Sequence, residues 1–215
     1  MNTIDVYLDF TCPYSYIAHH RIAEAIRLNT TVSAHLQYRA FQLNPSLPIA
    51  GIPRATYRKN KFGSIEESRR RDSIVVDIAS NEGININFDN ISITPNTRAA
   101  HRAIKISEDQ GKNTSDLYDK VFSAYFIQGL DIGDTQVLIN LASELDIILT
   151  KEQLNKNGTY IDKIIDKDIS DAHSVGLTGV PYAVIKNGTH ISITALQHYS
   201  GCICVKKSWV VTKYC

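Results

Sequence analysis

The sequence predicts an α/β domain interrupted by an all-helical insertion. Three observations predict it. The chain opens on "IDVYLDF", which alternates apolar and polar residues. An apolar run at helical spacing and a second strand-like run follow at once. After more than a hundred residues of mostly helical periodicity, the chain returns to two short strand-like runs around Asn187-Gly188. Alternation at period two marks strands, spacing of three and four marks helices, and Asn-Gly is a strong two-residue hairpin signal.

In chain order, Ile4, Val6, Leu8 and Phe10 alternate with Asp5, Tyr7 and Asp9, a strand. In "TCPYSYIAHHRIAEAIRL", Ile17, Ile22, Ala25, Ile26 and Leu28 share one helical face. Thr11 is placed to cap this helix, and Pro13 suits a first turn because its missing N–H would have no partner there. "VSAHLQYRAF" reads as a second strand, parallel to the first across a right-handed crossover. "LPIAGIP" is a loop. Helices are predicted over 54–61, 65–81, 97–110, 114–127, 134–145 and 160–175, with Thr97 and Asp134 as caps. "INI" at 84–86 is the one strand signal in this region. "YAVI" and "HISIT" then form a hairpin. The order corresponds to a thioredoxin-like domain of residues 1–46 plus 176–215, with a helical insertion of residues 47–175.

Composition excludes several function classes. The 215 residues carry a net charge of +1, so no global field draws nucleic acid or an anionic membrane. No apolar run approaches the roughly 18 residues that a membrane span needs. The first residues lack a basic region, a long apolar stretch and a cleavage site, so a cytoplasmic location is expected. Four cysteines, at 12, 202, 204 and 215, form no C-x-x-C pair and have no zinc-finger spacing, and no metal is expected. Cys202 and Cys204 read as at most a weak candidate for a remote resolving pair. In "EESRRRD", Glu66 and Arg70, and Glu67 and Arg71, read as helix-surface ion pairs. His19 and His20 read as packing or solvated side chains, and Asp162, Asp166, Asp168 and Asp171 as a solvated helix face.

"CPYS" carries the chemistry. Cys12 stands between the first strand and the first helix, where free N–H groups and the helix dipole favour a thiolate. Ser15 lies one turn on and can donate its hydroxyl to that sulfur. A low Cys12 pKa is therefore expected. The second element is Gly179-Val180-Pro181. A proline opening a strand after a glycine-bearing loop is compatible with a cis bond, which would expose the Val180 backbone to an extended peptide or glutathione.

With "DFTCPYSYIAHHR", "YRAFQLNPSLP", "GININFD", "PNTRAAHRAIKI", "LYDKVFSAYFIQGLDIGDTQVLINLA" and "AHSVGLTGVPYAVI", the chain resembles the DsbA superfamily, and most its cytoplasmic FrnE-like branch. The resemblance implies a thioredoxin fold with a helical insertion, a nucleophilic Cys12 and a cis Pro181. It also implies that Asn96 and His101 lie in the cleft. With Pro13, Tyr14, Val180 and Pro181 they make up the expected substrate-binding set. The branch usually carries C-P-[WF]-C, and here the second cysteine is Ser15. The related 2-hydroxychromene-2-carboxylate isomerases and kappa-class glutathione transferases place a serine first, so "CPYS" stands between the two patterns. The tail "ISITALQHYSGCICVKKSWVVTKYC" matches the family's end poorly.

The expected function is thiol–disulfide oxidoreduction or isomerisation through a single cysteine, with Cys12 and Ser15 catalytic. No tightly bound cofactor is expected; glutathione or another small thiol would serve as cosubstrate. The expected partners are protein or small-molecule thiols and disulfides, a homodimer being left open, with no nucleic acid and no membrane. The alternatives are a glutathione-dependent isomerase or transferase, and a non-catalytic peptide-binding module.

Overall fold

The computed structural model describes residues 2–28, 34–185 and 189–191. The expected Asn187-Gly188 turn and the tail with Cys202, Cys204 and Cys215 lie outside the described residues. The alternation at the start becomes β1 (Asn2–Leu8), and the helical periodicity becomes α1 (Pro13–Leu28). β2 (Ala34–Ala40) pairs parallel to β1, with Ile4 opposite Leu36 and Leu8 opposite Ala40, as expected for a crossover unit. The returning strands are β5 (Tyr182–Ile185) and β6 (Thr189–Ile191). β5 pairs antiparallel to β1 and β6 antiparallel to β5, so the sheet order is β2-β1-β5-β6. β1 is thus interior, and both of its faces are covered.

Between the two halves of the sheet the helices run as α2 (Arg54–Phe62), α3 (Ile65–Ser80), α4 (Arg98–Asp109), α5 (Ser115–Phe126), α6 (Thr135–Ser143), α7 (Lys151–Asn155) and α8 (Tyr160–Ser174). Six of these seven follow the sequence reading. The short α7 has a signal of its own: Thr150 and Gln153 form a capping box, two backbone N–H groups satisfied reciprocally. Asp134 caps α6 by accepting the Gln136 N–H. Thr97 holds the cap position of α4 without making a side-chain cap bond; Asn96 Oδ1 accepts the Arg98 N–H in its place, at 3.0 Å. Likewise Thr11 does not cap α1, because its hydroxyl turns back to Asp9 at 3.2 Å. "INI" is not a strand. Ile84 and Ile86 are buried, while the small second sheet is made by β3 (Ile52–Pro53) and β4 (Ile93–Thr94).

One buried cluster joins β1, α1 and the intervening helices. Phe10 packs on Tyr118 and Phe122 at ring-centroid distances of 5.3 and 5.0 Å, and Tyr16 stacks on Phe122 at 5.1 Å. The other face of β1 carries a smaller cluster, Tyr7 with Phe41, Ala172 and Leu177, closed by α8. Asp162 and Asp168 on α8 are buried rather than solvated. Asp162 binds Arg98 and Arg102, and Asp168 takes Arg39 at 2.9 Å, the Ala40 N–H at 3.0 Å and Lys105 at 3.4 Å. Asp166 and Asp171 form exposed pairs with Arg98 and Lys167. His19 is fully buried between the Tyr38 hydroxyl, 2.6 Å from Nδ1, and Asp119, 3.1 Å from Nε2.

Candidate active site

Cys12 occupies the position just before α1. Its carbonyl accepts the Tyr16 N–H at 3.3 Å, the first bond of the helix, and its own N–H donates to the Asp9 carbonyl at 3.0 Å. Pro13 follows as the first helical residue, where it has no N–H to leave unpaired. Across the sheet end, the Val180–Pro181 bond is cis. The Val180 carbonyl lies 3.3 Å from Cys12 Sγ and accepts the thiol proton. Two segments 168 residues apart in sequence thereby meet at one sulfur.

Ser15 is completely buried. Its oxygen accepts the Asp9 N–H at 3.4 Å, and its hydroxyl bears on the Cys12 sulfur. Burial nevertheless pushes the Cys12 thiol up, with Asp9 adding to it. The Ser15 hydroxyl and the N–H groups of Ser15 and Tyr14 pull the other way without overcoming burial. The expectation of a low pKa is corrected accordingly. The helix start does supply donors, but the cysteine is only 5% exposed, and a carbonyl acceptor favours the thiol over the thiolate.

Asp9, which the sequence reading left as a polar strand residue, is the acid beneath this site. It is 1% exposed and accepts the Leu43 N–H at 2.7 Å and the Thr11 hydroxyl. Burial raises its pKa against those donors and the Thr97 hydroxyl. His101 lies under the site and not on its surface: it is 1% exposed and packed 5.1 Å from the Phe10 ring. Its Nε2–H donates to the Phe41 carbonyl at 2.9 Å, and burial holds its pKa at about 3, so it is neutral. Asn96 is spent on scaffolding. Its Oδ1 accepts from Gln42 and its Nδ2 donates to the Leu47 carbonyl, at 3.2 and 2.7 Å. Together Asp9 and Asn96 fix the loop after β2 against the cysteine turn. No spacing rule links residues 9, 42–47 and 96, so only the folded chain shows this. Tyr14 is partly buried beside Cys12 and lies within the field of Arg71 on α3.

A free cysteine at the start of the first helix, against a cis-proline turn on the same sheet, is the arrangement of a thioredoxin-like fold. Within that class the chain belongs to the DSBA-like thioredoxin domain family, whose model matches residues 3–198. It is 24% identical to YwbO of Bacillus subtilis (strain 168) over 67% of this chain, and the match spans 66% of that protein's length. Its fold is similar to that of a probable DsbA oxidoreductase from Streptomyces coelicolor, with a TM-score of 0.78 and 22% identity over 89% of this chain and 83% of the other. It is also similar to the cytosolic disulfide reductase DsbM from Pseudomonas aeruginosa with GSH, with a TM-score of 0.62 and 15% identity over 86% and 87% of the two chains.

Proposed function

We propose that the protein is a thiol–disulfide oxidoreductase or isomerase of the FrnE-like kind that works through Cys12 alone. The observation that carries this reading is the occupancy of the two sulfur positions of the motif: Cys12 Sγ faces the Val180 carbonyl at 3.3 Å, and the hydroxyl of buried Ser15 stands where a second thiol would be needed. The Cys12 thiolate attacks one sulfur of a substrate disulfide. A Cys12–substrate S–S bond forms, the old S–S bond breaks, and the departing thiolate takes the electron pair and then a proton. Ser15 cannot repeat the attack. A second thiolate, from the substrate or from glutathione or another small thiol, must attack the mixed disulfide and release Cys12 with no net change in its oxidation state. A cytoplasmic location would supply such a thiol. The upward push on Cys12 works against the first step, because only the thiolate attacks, so exchange should speed up as the pH rises.

The test is mass spectrometry of the intact protein after oxidised glutathione, with Cys12→Ser as control. One glutathione adduct on Cys12, removed by reduced glutathione, is expected. In Ser15→Cys the adduct should give way to an internal disulfide, since residues three apart on a helix share a face. Absence of an adduct together with non-covalent glutathione binding would move the reading to a glutathione-dependent isomerase or transferase.

A further inference from the structure

The charge of the chain is unevenly placed. Residues 54–72 hold seven Lys and Arg against three Asp and Glu, a local net charge of +4, so the rest of the chain carries −3 within a total of +1. The stretch is α2 and α3, and its cations converge. Arg58, Lys61 and Arg71 all sit over the Phe62 ring, at 4.3, 5.7 and 4.8 Å from its centroid. The carboxylates are too few to neutralise them. Asp72 serves both Arg54 and Arg58, and Glu67 serves both Arg70 and Arg71, the latter pair as expected. Lys59 and Lys61 have no carboxylate partner among the described residues. Lys59, Lys61 and Arg71 are exposed.

Two sets of contacts link this cluster to the candidate site. α3 packs on α1, bringing the Arg71 charge to bear on the Tyr14 hydroxyl, two residues from Cys12. In the second set, the Lys61 ammonium donates to the Tyr57 hydroxyl at 3.1 Å, which donates to Asn44 Oδ1 at 2.9 Å. Asn44 follows Leu43, whose N–H is held by Asp9. Massing like charges beside a cleft works against the fold and favours a ligand of opposite sign. A long polyanion would also meet the −3 carried by the remaining chain, whereas a short acidic segment would not.

We propose that the cationic cluster of Arg58, Lys61 and Arg71 around Phe62 docks acidic polypeptide segments that flank the disulfide attacked by Cys12. The inference rests on thiol exchange at Cys12 and adds a substrate class to it. Screening at physiological salt, about 8 Å, confines the effect to acids within a few residues of the reacting cysteine.

The test uses three peptides with the same central cysteine, disulfide-linked to a chromogenic thiol and flanked by Asp/Glu, by Gly/Ser or by Lys. At low salt the acidic peptide is expected to form the mixed disulfide about tenfold faster than the neutral one, the lysine peptide more slowly than either, and the spread to collapse at high salt. Lys59→Glu combined with Lys61→Glu should reverse the acidic-to-basic rate ratio; a circular-dichroism melt checks that the variant is folded. Fluorescence anisotropy of the same peptides, in reduced and labelled form, on the Cys12→Ala protein measures docking without chemistry. Equal rates for acidic and neutral peptides, or equal binding to Cys12→Ala, overturns the docking surface while leaving exchange intact. Failure of all three peptides to react overturns the exchange reading, and the anisotropy still decides the docking.

Discussion

Ser15 and Cys12 meet at the candidate site. The sulfur is caught between a carbonyl that prefers it protonated and a hydroxyl that prefers it ionised. Burial decides the balance, so the rate of alkylation by iodoacetamide should climb with pH through a midpoint above the ordinary cysteine value of about 8.5. Ser15→Ala removes a donor from the thiolate and should raise that midpoint further. A hydrogen bond to a charged group is worth about 1.5–3 kcal/mol, so alkylation at pH 7 should slow by roughly tenfold or more. Peptide mapping of alkylated Cys12 across the pH range checks both; identical profiles for the two proteins would mean that Ser15 does not donate to the sulfur. His101, a neutral imidazole bonded to the Phe41 carbonyl and shut from solvent, is held beneath the site.

At the scale of elements, two junctions hold the helices in place around that site. The turn after α5 brings Gly129, at φ +73°, against the loop before β4, where a Cβ would lie 2.2 Å from the Asn90 carbonyl oxygen. Both the left-handed backbone and the contact require glycine, which explains this residue of "AYFIQGLDIGD". Gly129→Ala should cost several kcal/mol, since backbone oxygen cannot move aside as a side chain would, and a drop in thermal midpoint of more than about 5 °C is the expected reading. The second junction is Asp162, where α8 meets α4. Burial pushes this carboxyl up, but the Thr159 N–H, Arg102 and Arg98 prevail and hold its pKa at about 2. A carboxylate with a depressed folded-state pKa stabilises above its unfolded value, near 4, and loses that contribution as pH falls through about 2. Asp162→Asn should therefore be less stable than the wild type by about 2 kcal/mol at pH 7, with the gap closing by about pH 2. Urea unfolding of both proteins at the two pH values measures it.

Across the whole molecule, the expected insertion of residues 47–175 shares its interior with the strand that precedes Cys12. Phe122, from α5, lies against Phe10, Tyr16, His19, Tyr118 and Phe126 and is fully buried. Phe122→Ala should destabilise by about 3–5 kcal/mol, as for other large buried rings. Unfolding should remain a single transition, because the cavity opens onto β1 and α1 as well as onto the helices. Two separate transitions in the variant would show that the 47–175 segment unfolds as its own unit. α8 closes this arrangement, touching α4 with Asp162 and β2 with Asp168.

The order of elements, the parallel first unit, the hairpin strands, most helix bounds and the place of Cys12 were all legible in the sequence. Each rests on local periodicity or on what a proline, a serine or an Asn-Gly step does to the backbone beside it. Tertiary structure decided the rest. Asp5, Tyr7 and Asp9 alternate with the apolar residues of β1 as a solvent face would, yet all three are buried. They are buried because β1 became an interior strand with Arg39, α8 and the loop after β2 laid over its polar side. The same covering reversed the expected direction for Cys12. Position at a helix start is a local property and favours the thiolate. Desolvation depends on how many distant segments close over the sulfur, and here Val180, 168 residues away, is one of them.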